Sequence, residues 1–508
     1  MKLFTIISAF LICLSSLANY STPGTGKSWN LDSLVANSGG EVTFSSGTYF
    51  FTDTLNISQS DTLKIRINTT IKISPLVVFN ILGTLIVNPP DSVKITSLDT
   101  NQKFYEMRLD STSDASIMKK MIFEYSFNGI RLLDTSPLID SCTIQYNCNG
   151  NSSTTVPAIN LFRANPVISN CKIIRNYKVA IGGGANIANS PQILNNLISE
   201  NNIANGNVPQ INLGQSGSGT PLIQGNTIKG LYTNAGGIAT LPIGQLTIRI
   251  EDNIIKFNRY GIAIANANTN AVIKRNIIDS NNIQGNPLLG GSGINFNGTS
   301  SIIAAVSHNK IRGNLWGITI QGTAKPNMGE LSNPDTNYAG FNMILNNGNS
   351  NRYYDLYNNT PDSIKAENNF WGTNNLDSVE ARIFHKPDSS ALGFVDYVPI
   401  WIPVPVVNIS TEIPGNYKLY DAYPNPFNPS TKIKFDVGIS KNMRVNNQFV
   451  SLIVYDILGQ VVKTLINMEL KPGTYEVDFS GSDISSGVYF YALKSGNFYD
   501  SKRMIIVK

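Results

Sequence analysis

Residues 166–176 read PVISNCKIIRN, and residues 191–201 read PQILNNLISEN. The pattern returns as RIEDNIIKFN at residues 249–258 and as VIKRNIIDSN at residues 272–281. In each copy an apolar residue is followed, after two spacer residues, by a position that is mostly asparagine. A second apolar residue comes after one more spacer, and an asparagine comes after two further spacers. The copies are spaced by roughly 22 to 33 residues, which is typical of solenoid repeats.

The repeat is followed most easily by its central apolar position, which is held by Ile122, Ile144, Ile173, Ile198, Ile228, Ile255, Ile278, Ile311, Ile344 and Trp371. The position two residues earlier is held by Cys142, Cys171, Asn196, Asn226, Asn253, Asn276, Asn309, Asn342 and Asn369. The position three residues later is held by Asn147, Asn176, Asn201, Asn258, Asn281, Asn314, Asn347 and Asn374. The copies therefore differ mainly in the length of the segments that join them.

Short runs of Ile, Val and Thr broken by Asn and Gly favour strands over helices. A chain that winds back every ~28 residues stacks each strand on its counterpart about 4.8 Å away. The isoleucines then form a continuous core, and the asparagines at the bends bond to one another and to the turn backbone. The pattern predicts an all-β fold, a parallel β-helix in which asparagine forms a structural ladder.

Composition agrees with this interpretation and excludes others. The 508-residue chain has 14% charged residues, 42% hydrophobic residues and about 60 asparagines. Intrinsic disorder needs high net charge and few aliphatic residues, and a helical bundle needs more of the good helix formers. The net charge of +5 comes without a run of Lys and Arg, so nucleic acid is not expected as a partner.

Residues from about 42 to 399 resemble the PbH1 or NosD-like repeats of right-handed parallel β-helices. The opening GGEVTFSSGTYFFTDTLNISQSDTLKIRINTTIKI is similar to the amphipathic first coils of such proteins, and AENNFWGTNNLDSVEARIF is similar to their closing coil. The resemblance implies the fold. It leaves the function open, because this fold carries hydrolases, lyases, adhesins and inert scaffolds.

The carboxy-terminal part changes to alternating strand patterns with turn signals, which predict a small β-sandwich. It resembles the type A sorting domain of the type IX secretion system in LYDAYPNPFNPSTKIKFDV, VYDILGQVVKTL and GTYEVDFSGSDISSGVYFYALKSG. The residues of the sorting motif are Tyr423, Pro424, Asn425, Pro426, Tyr455, Asp456, Gly459, Gly487 and Tyr489. The resemblance implies recognition by an outer-membrane translocon and removal of the domain by a sortase-like peptidase. The alternative is a carbohydrate-binding or immunoglobulin-like sandwich.

The amino terminus, MKLFTIISAFLICLSSLANYS, has the positive charge, apolar stretch and small residues of a signal peptide cleaved after Ala18. A membrane anchor, or a lipoprotein modified at Cys13, are the alternatives. No later stretch has the roughly 18 apolar residues of a transmembrane helix. We predict a signal peptide at 1–18, the β-helix at 19–400, a proline-rich linker at 401–416 and the sorting domain at 417–508. The protein is expected to pass through the periplasm and to be secreted or held on the outer cell surface.

Charged residues are densest where the repeat register puts Asp252, Arg275 and His308 on three successive coils, with Lys274 beside them and Asp279 across the isoleucine. One interpretation is a glycan-handling groove in which Lys274 or Arg275 meets an acidic sugar, supported by one of the aspartates. The other is a ladder of alternating charges that avoids like charges on neighbouring strands. The signatures of polygalacturonase-like hydrolases are absent. No cofactor is evident, and Ca²⁺ is expected only if the chain is a lyase.

Other chemistry-bearing residues have structural explanations. Cys142 and Cys171 share one repeat position, so we expect stacked buried thiols, with a disulfide as the alternative. His385 is expected at the surface, and residues 182–184, all glycine, are expected to form a bend and not a phosphate-binding loop. An aromatic cluster is expected to cover the end of the solenoid core, with stacking on sugar rings as the alternative; it comprises Tyr353, Tyr354 and Tyr357.

Two functions follow from these features. The first is a surface protein that binds glycans, or that has a structural or adhesive role, without catalysis. The second is a polysaccharide lyase or glycoside hydrolase that acts on extracellular polysaccharide. A periplasmic copper-site role like that of NosD proteins is disfavoured by the sorting tail and by the scarcity of clustered His and Met. The expected partners are the type IX translocon, the sortase-like peptidase and a polysaccharide.

Overall fold

A computed structural model describes residues 19–508 except 154, 287–288, 349–352, 405, 411, 440–447 and 497. The predicted signal peptide at 1–18 lies outside the described residues. Over the described residues, the first part of the chain winds through three long sheets and adds a parallel strand to each of them in successive coils, apart from an antiparallel hairpin of Val42–Ser45 and Thr48–Phe51. This arrangement is the right-handed parallel β-helix that the repeats predict.

The three sheets are named here in the order in which each coil visits them. Sheet A contains, in stacking order, Tyr20–Ser21, Leu55–Ile57, Val78–Ile81, Glu106–Leu109, Ile130–Leu133, Pro157–Phe162, Val179–Gly183, Pro209–Leu213, Gly236–Thr240, Ile262–Asn266, Ser292–Gly298, Trp316–Gly322, Leu356–Asn359 and Ile383–Phe384. Sheet B contains Ser28–Trp29, Thr62–Ile65, Thr84–Val87, Ile117–Lys119, Leu138–Asp140, Val167–Ser169, Gln192–Leu194, Leu222–Gln224, Leu246–Glu251, Thr269–Lys274, Ile302–Ser307 and Lys325–Asn327. Sheet C contains Val42–Ser45, Thr48–Phe51, Thr69–Ile73, Val93–Ser97, Met121–Glu124, Thr143–Gln145, Lys172–Ile174, Leu197–Ser199, Thr227–Lys229, Ile254–Lys256, Ile277–Asp279, Lys310–Arg312 and Met343–Leu345.

Short elements close both ends of the solenoid. The helix Leu31–Asn37 begins with a capping box between Asn30 and Ser33, and it buries leucines against the first coils. At the other end lie the helix Leu376–Glu380 and a small parallel pair of strands, Ile364–Lys365 and Val395–Asp396. A 3₁₀ turn, Thr336–Tyr338, lies in the loop that follows sheet B. These elements cover core side chains that the outermost coils would otherwise expose to water.

The central isoleucines stack in register on sheet C, as Ile173 pairs with Ile198 and Ile198 with Ile228. The assignment of Ile122 to this column is wrong, because its strand partner is Thr143 and its side chain is only partly buried. Phe123 occupies the column instead and is fully buried. The register is set by the left-handed bend before the strand, and Phe123 is the third residue after that bend, as the isoleucines are in later coils.

The sorting region is an antiparallel sandwich with its own core. One sheet contains Val406–Ser410, Gly473–Ser480, Ser430–Val437 and Lys418–Leu419. The other contains Val461–Leu470, Gln448–Tyr455, Gly487–Ser495 and Phe498–Ile506. The strand Val406–Ser410 lies in the segment that we predict as a linker, and its pairing with Gly473–Ser480 makes it an edge strand of the sandwich.

Candidate functional site

The asparagines at the bend between sheets B and C form a hydrogen-bonded ladder. In Asn253, the backbone N–H and the side-chain Nδ2 both donate to Oδ1 of Asn276, over 3.0 and 2.9 Å. Nδ2 also donates to the carbonyl of Ile223 over 2.8 Å. The bonds between neighbouring side chains continue through Asn196, Asn226, Asn253, Asn276, Asn309, Asn342 and Asn369. Because each buried amide finds partners, these residues hold the fold and are not candidates for acid–base chemistry.

A second ladder follows the bend after sheet C and is interrupted at Leu231, where the repeat has no asparagine. The buried side chain of Gln210 bridges the gap. Its Oε1 accepts from Nδ2 of Asn201 over 3.1 Å, and its Nε2 donates to Oδ1 of Asn258 over 2.9 Å. Gln210 lies on sheet A beside Gly237. Sequence analysis missed it, although the missing asparagine at 231 was a signal that another group must satisfy the ladder.

The second ladder ends at a buried carboxylate. Oδ1 of Asp355 accepts from N–H and Nδ2 of Asn347, over 3.1 and 2.8 Å, and Oδ2 lies 3.4 Å from Nη1 of Arg382. Burial raises the pKa of Asp355 to about 6, against the opposing effects of the Asn347 bonds and the Arg382 charge. The last rung is therefore ionisable near neutral pH, unlike the amides before it.

The first ladder begins at stacked cysteines. The N–H of Cys142 faces Sγ of Cys171 at 3.4 Å, and the N–H of Cys171 donates to Oδ1 of Asn196 over 2.8 Å. The cysteines in the described part of the chain, including Cys148, are buried free thiols. The Cys142 contact and burial raise the pKa of the Cys171 thiol. The pair therefore replaces asparagine in the ladder and is not a reactive thiolate.

The predicted charge cluster lies where sheet B turns toward sheet C. Asp252, Arg275 and His308 occupy the left-handed bend position of successive coils, with φ of 57°, 58° and 61°. Lys274 is the strand partner of Glu251 on the adjoining edge of sheet B. Nε of Arg275 lies 2.6 Å from Oδ1 of Asp252, and its Nη2 lies 2.8 Å from Oε2 of Glu251. Burial would lower the pKa of Arg275, but the two carboxylates raise it.

The carboxylates of the cluster are matched by cations. Glu251 also pairs with Arg249 at 2.5 Å, and Asp279 pairs with Arg312 at 2.8 Å. Asp279 has Lys256 as its strand partner on the preceding coil. Two carboxylates that are each held by an arginine are not set up to act as a general acid and a general base on one sugar bond. The contacts favour the ladder of alternating charges.

Lys274 and His308 have no ion-pair or hydrogen-bond partner for their side chains among the described residues. Burial, followed by the charges of Lys274 and Arg275, lowers the pKa of His308 to about 3. Burial and then Arg275 lower the pKa of Lys274. His308 is therefore neutral at physiological pH and has no proton to give as a general acid. Lys274 is the group of the cluster that comes nearest to a free base.

A straight column of positions that alternate with the core residues runs along sheet A through successive coils, from Arg108 to Phe384. In register order it comprises Arg108, Arg131, Asn160, Gly182, Asn212, Ala239, Ala263, Asn295, Thr319, Tyr357 and Phe384. An open cleft of about 450 Å³ lies over Gly182. A Cβ at that position would lie 2.9 Å from the carbonyl oxygen of Asn212, so the floor of the cleft requires glycine.

This cleft, which sequence analysis missed, is rich in hydrogen-bonding groups and carries one charged side chain, Arg131. Its main polar groups are Asn128, Arg131, Asn151, Ser153, Thr155, Asn160 and Asn212, and no carboxylate lines it among the described residues. The amides of Asn160 and Asn212 have no side-chain hydrogen bond within the described part of the chain. The expected bend at 182–184 is wrong for its first two residues, because they end the strand Val179–Gly183. The missing side chain makes a depression in the sheet surface and not a turn.

The predicted aromatic cluster forms a stack on the last coils of sheet A. The rings of Trp316 and Tyr357 are 4.7 Å apart and nearly parallel, and those of Tyr357 and Phe384 are 4.5 Å apart. Tyr354 packs edge-on against all three rings, whereas Tyr353 is 56% exposed. Because the rings cover one another's faces, they present edges to solvent. Sugar rings stack on aromatic faces, so the geometry favours a structural role at the end of the solenoid.

His385 is fully buried, so its expected surface position is wrong. Its Nδ1 accepts from the N–H of Val395 over 2.9 Å, and its Nε2 lies 2.9 Å from Oε1 of Glu380. The closing helix and strand fold over the ring, which the polar sequence around it did not reveal. Across the described residues, no group of three or more His, Cys, Asp or Glu side chains is placed to hold a metal ion.

Several residues of the sorting motif hold the sandwich together. Oδ1 of Asn425 accepts from the N–H of Ile505 over 2.9 Å, which ties the first loop to the last strand. Asp456 accepts two N–H groups of the turn in which Gly459 has a φ of 78°. The hydroxyl of Tyr489 donates to a backbone carbonyl over 2.9 Å. The remaining motif residues lie in the same loop and on the strands Gln448–Tyr455 and Gly487–Ser495; they are Tyr423, Pro424, Pro426, Tyr455 and Gly487.

Comparison with known families identifies this region directly. The family model of the secretion system C-terminal sorting domain matches residues 421–508. Comparison with curated proteins and with solved structures finds no match. Within the described part of the chain, no helix is long and apolar enough to cross a membrane. The chain therefore joins a right-handed parallel β-helix to a C-terminal sorting domain of the type IX secretion system, which directs it to the cell surface or out of the cell.

Proposed function

We propose that the β-helix is a glycan-binding surface protein without catalytic activity, and that the sugar binds in the cleft over Gly182. The observation that carries the proposal is the pair of amides of Asn160 and Asn212, which make no side-chain hydrogen bond among the described residues and lie on either side of a floor without a side chain. An amide both donates and accepts hydrogen bonds, and so does a sugar hydroxyl. The glycine floor lets a pyranose ring approach the sheet backbone closely.

The remaining groups of the cleft suit a sugar that is neutral or acidic. Arg131 lies on the wall, and its Nη1 is 3.4 Å from Oε1 of the buried Glu106. Asn151 donates to Oδ1 of Asn128 over 2.7 Å, and Asn128 donates to Glu106 over 3.0 Å. These bonds hold the wall residues in fixed positions before a ligand arrives, which reduces the entropy lost on binding.

The absence of catalysis is supported by the charge cluster. Asp252, Glu251 and Asp279 are each engaged by an arginine, and His308 is neutral at physiological pH. The cluster therefore lacks both the free carboxylate pair of a glycoside hydrolase and an available proton donor.

The binding proposal is tested with a panel of neutral and uronate-containing oligosaccharides, measured by calorimetry against the full chain. Asn160→Ala and Asn212→Ala are each expected to weaken binding about fivefold, the equivalent of one hydrogen bond of about 1 kcal/mol. Asn295→Ala is the matched control, because it lies in the same column outside the cleft. Absence of binding across the panel, or an equal loss in the control, would contradict the proposal.

A second candidate, a polysaccharide lyase or glycoside hydrolase, has one observation in its favour. Lys274 is half-buried without an ion pair among the described residues, and its lowered pKa makes it a better base than an exposed lysine. In a lyase, Lys274 would take the proton beside a uronate carboxylate, which Arg275 and added Ca²⁺ would neutralise. The adjacent glycosidic C–O bond would then break as a C=C bond forms in the sugar, and water would protonate the leaving oxygen. Turnover of a uronate polysaccharide that is lost in Lys274→Ala or Arg275→Ala would establish this function and end the non-catalytic proposal.

We also propose that the sorting domain binds the type IX translocon and is then removed by a sortase-like peptidase. The family match over residues 421–508 supports this role. Mass spectrometry of the mature surface form tests removal. A mature protein that still carries the carboxy-terminal peptide would show that the domain stays attached.

A further inference from the structure

A chain of aromatic rings connects the sorting domain to the β-helix. The ring of Phe449, in the sandwich, lies edge-on to the ring of His308 with centroids 5.9 Å apart. His308 packs on Phe341 at 5.4 Å, and Phe341 packs on Trp401 at 5.3 Å. The contact between Phe449 and His308 therefore joins two bodies whose cores are separate.

The β-helix side of this contact departs from its own pattern. His308 and Phe341 occupy the left-handed bend position, with φ of 61° and 56°. On the coils before them the same position holds Asp252 and Arg275, and on the coil after them it holds Asn368. Side chains at this position point away from the core. Two successive rings in an otherwise polar column indicate a place that is covered.

The sandwich side is also unusual. Along the strand Gln448–Tyr455, Val450 and Leu452 are fully buried in the sandwich core, so the alternation of a strand turns Phe449 to the outside. Packing the outward ring of Phe449 against His308 removes apolar surface from water. This stabilises the contact by about 25 cal/mol for each square ångström covered. Phe449 is therefore placed to serve a contact outside its own domain.

The connection between the two bodies is short. The N–H of Trp401 donates to the carbonyl of Asn369 over 2.9 Å, which fixes Trp401 to the last coils. Val406 already pairs with Val477 in the sandwich. Four residues, 402–405, lie between these two points, and two of them are proline. A short connection rich in proline is stiff, so the sandwich loses little freedom when it settles on the helix.

We infer that the sorting domain is seated on the β-helix through Phe449, and that while it is attached it covers the bend at His308 beside Lys274 and Arg275. The ligand of this surface is thus the chain's own sorting domain. The lowered pKa of His308, which burial causes first, agrees with a covered ring. Release of the domain would expose the ring of His308 on the flank of the β-helix.

Ethoxyformylation of histidine tests the seat, because the chain has two histidines and peptide mapping separates them. In the full chain, Phe449→Ala is expected to raise the modification rate of His308 about tenfold. His385, buried in the closing segment, stays unmodified and is the internal control. Phe490→Ala is the matched variant, because Phe490 is 40% exposed on the same sandwich and touches no other ring among the described residues. It should leave His308 protected.

A second variant keeps all the rings and loosens the connection. About ten Gly and Ser residues are inserted after the proline between Ile402 and Val404, which makes the stiff linker flexible. It should also raise the rate at His308. Circular dichroism shows whether each variant is folded. If folded Phe449→Ala and the insertion both leave His308 as protected as in the parent chain, the seat does not exist. Equal exposure in Phe490→Ala would likewise show that Phe449 is not its anchor.

Discussion

Asp355→Asn tests the carboxylate at the end of the second ladder. In the rungs just before it, the amide oxygens of Asn314 and Asn347 each accept two bonds from the preceding asparagine, and Oδ1 of Asp355 accepts the same two bonds from Asn347. Asparagine keeps that oxygen and removes the charge. Arg382, which is 33% exposed, can turn to water when its partner is lost. We therefore expect the variant to extend the ladder without disturbing the last coils.

The magnitude follows from the pKa of Asp355, which burial raises from 3.8 to about 6. Below about pH 4 the carboxyl is protonated in both the folded and the unfolded chain. Between about pH 4 and 6 the folded chain keeps a proton that the unfolded chain has released, so the free energy of unfolding falls as the pH rises. This rise in the pKa of Asp355 is equivalent to about 3 kcal/mol of folding free energy. Asp355→Asn should be more stable than the parent by up to that amount at pH 7, and equal to it near pH 4.

Chemical denaturation at several pH values measures this difference, and amide exchange at Asn347 shows that the change arises in the last coils. Arg382→Ala should lower the free energy of unfolding at pH 7, because loss of the cation raises the pKa of Asp355 further. Near pH 4, where the carboxyl is protonated, it should have no such effect. Added to Asp355→Asn, it should have no further effect. Equal stabilities of the parent and Asp355→Asn at pH 7, or the same difference at pH 4.5 and pH 7, would refute the reasoning.

Three further predictions address the ladder, the charge cluster and export. Gln210→Ala leaves the Asn258 oxygen without its donor, at about 1–3 kcal/mol, and removes one of the two bonds donated by the Asn201 amide, so it should lower the melting temperature more than replacement of an exposed glutamine. Arg275→Ala should cost about 1 kcal/mol and leave sugar binding unchanged; loss of binding would place the ligand at the cluster and not at the cleft. Deletion of residues 417–508 should hold the protein in the periplasm, and its detection on the cell surface by antibody would contradict the sorting role.

The fold could be predicted because its determinants repeat in the sequence. Each isoleucine and each asparagine recurs at a fixed place in its coil, so the period and the order of core and bend residues are visible without coordinates. The error at Ile122 shows the limit of this approach. Two apolar residues, Ile122 and Phe123, are adjacent there, and the bend before the strand decides which of them enters the core.

Replacements within the ladders could not be predicted in the same way. Gln210 belongs to sheet A, and Asp355 precedes another strand of the same sheet, whereas the ladder asparagines that they serve follow sheet C. Only folding brings these elements together. A gap in a repeat says that a partner is needed, but it does not say from which part of the coil the partner comes.

The candidate site was partly accessible to sequence reasoning. The positions of Asp252, Arg275 and His308 on successive coils follow from the register, but the arginine contacts that engage the carboxylates depend on side-chain directions. The cleft over Gly182 was inaccessible, because it is defined by a missing side chain between Asn160 and Asn212. A glycine run in a sequence indicates a bend as readily as a flat place in a strand.

The asparagine ladders also indicate which surface of the β-helix can carry a function. A strand that slips by one residue turns its core side chains outward, and stacked isoleucines alone resist that slip only through burial. The asparagine rungs add a directional requirement, since a slipped coil such as that of Asn253 would leave an amide and a carbonyl unpaired in the core. With the interior held in this way, the outward positions of sheet A are free to vary from coil to coil. One column of sheet A accordingly changes from Arg131 through Gly182 to Phe384. Because its side chains vary while the interior repeats, this face is the first place to look for a bound ligand.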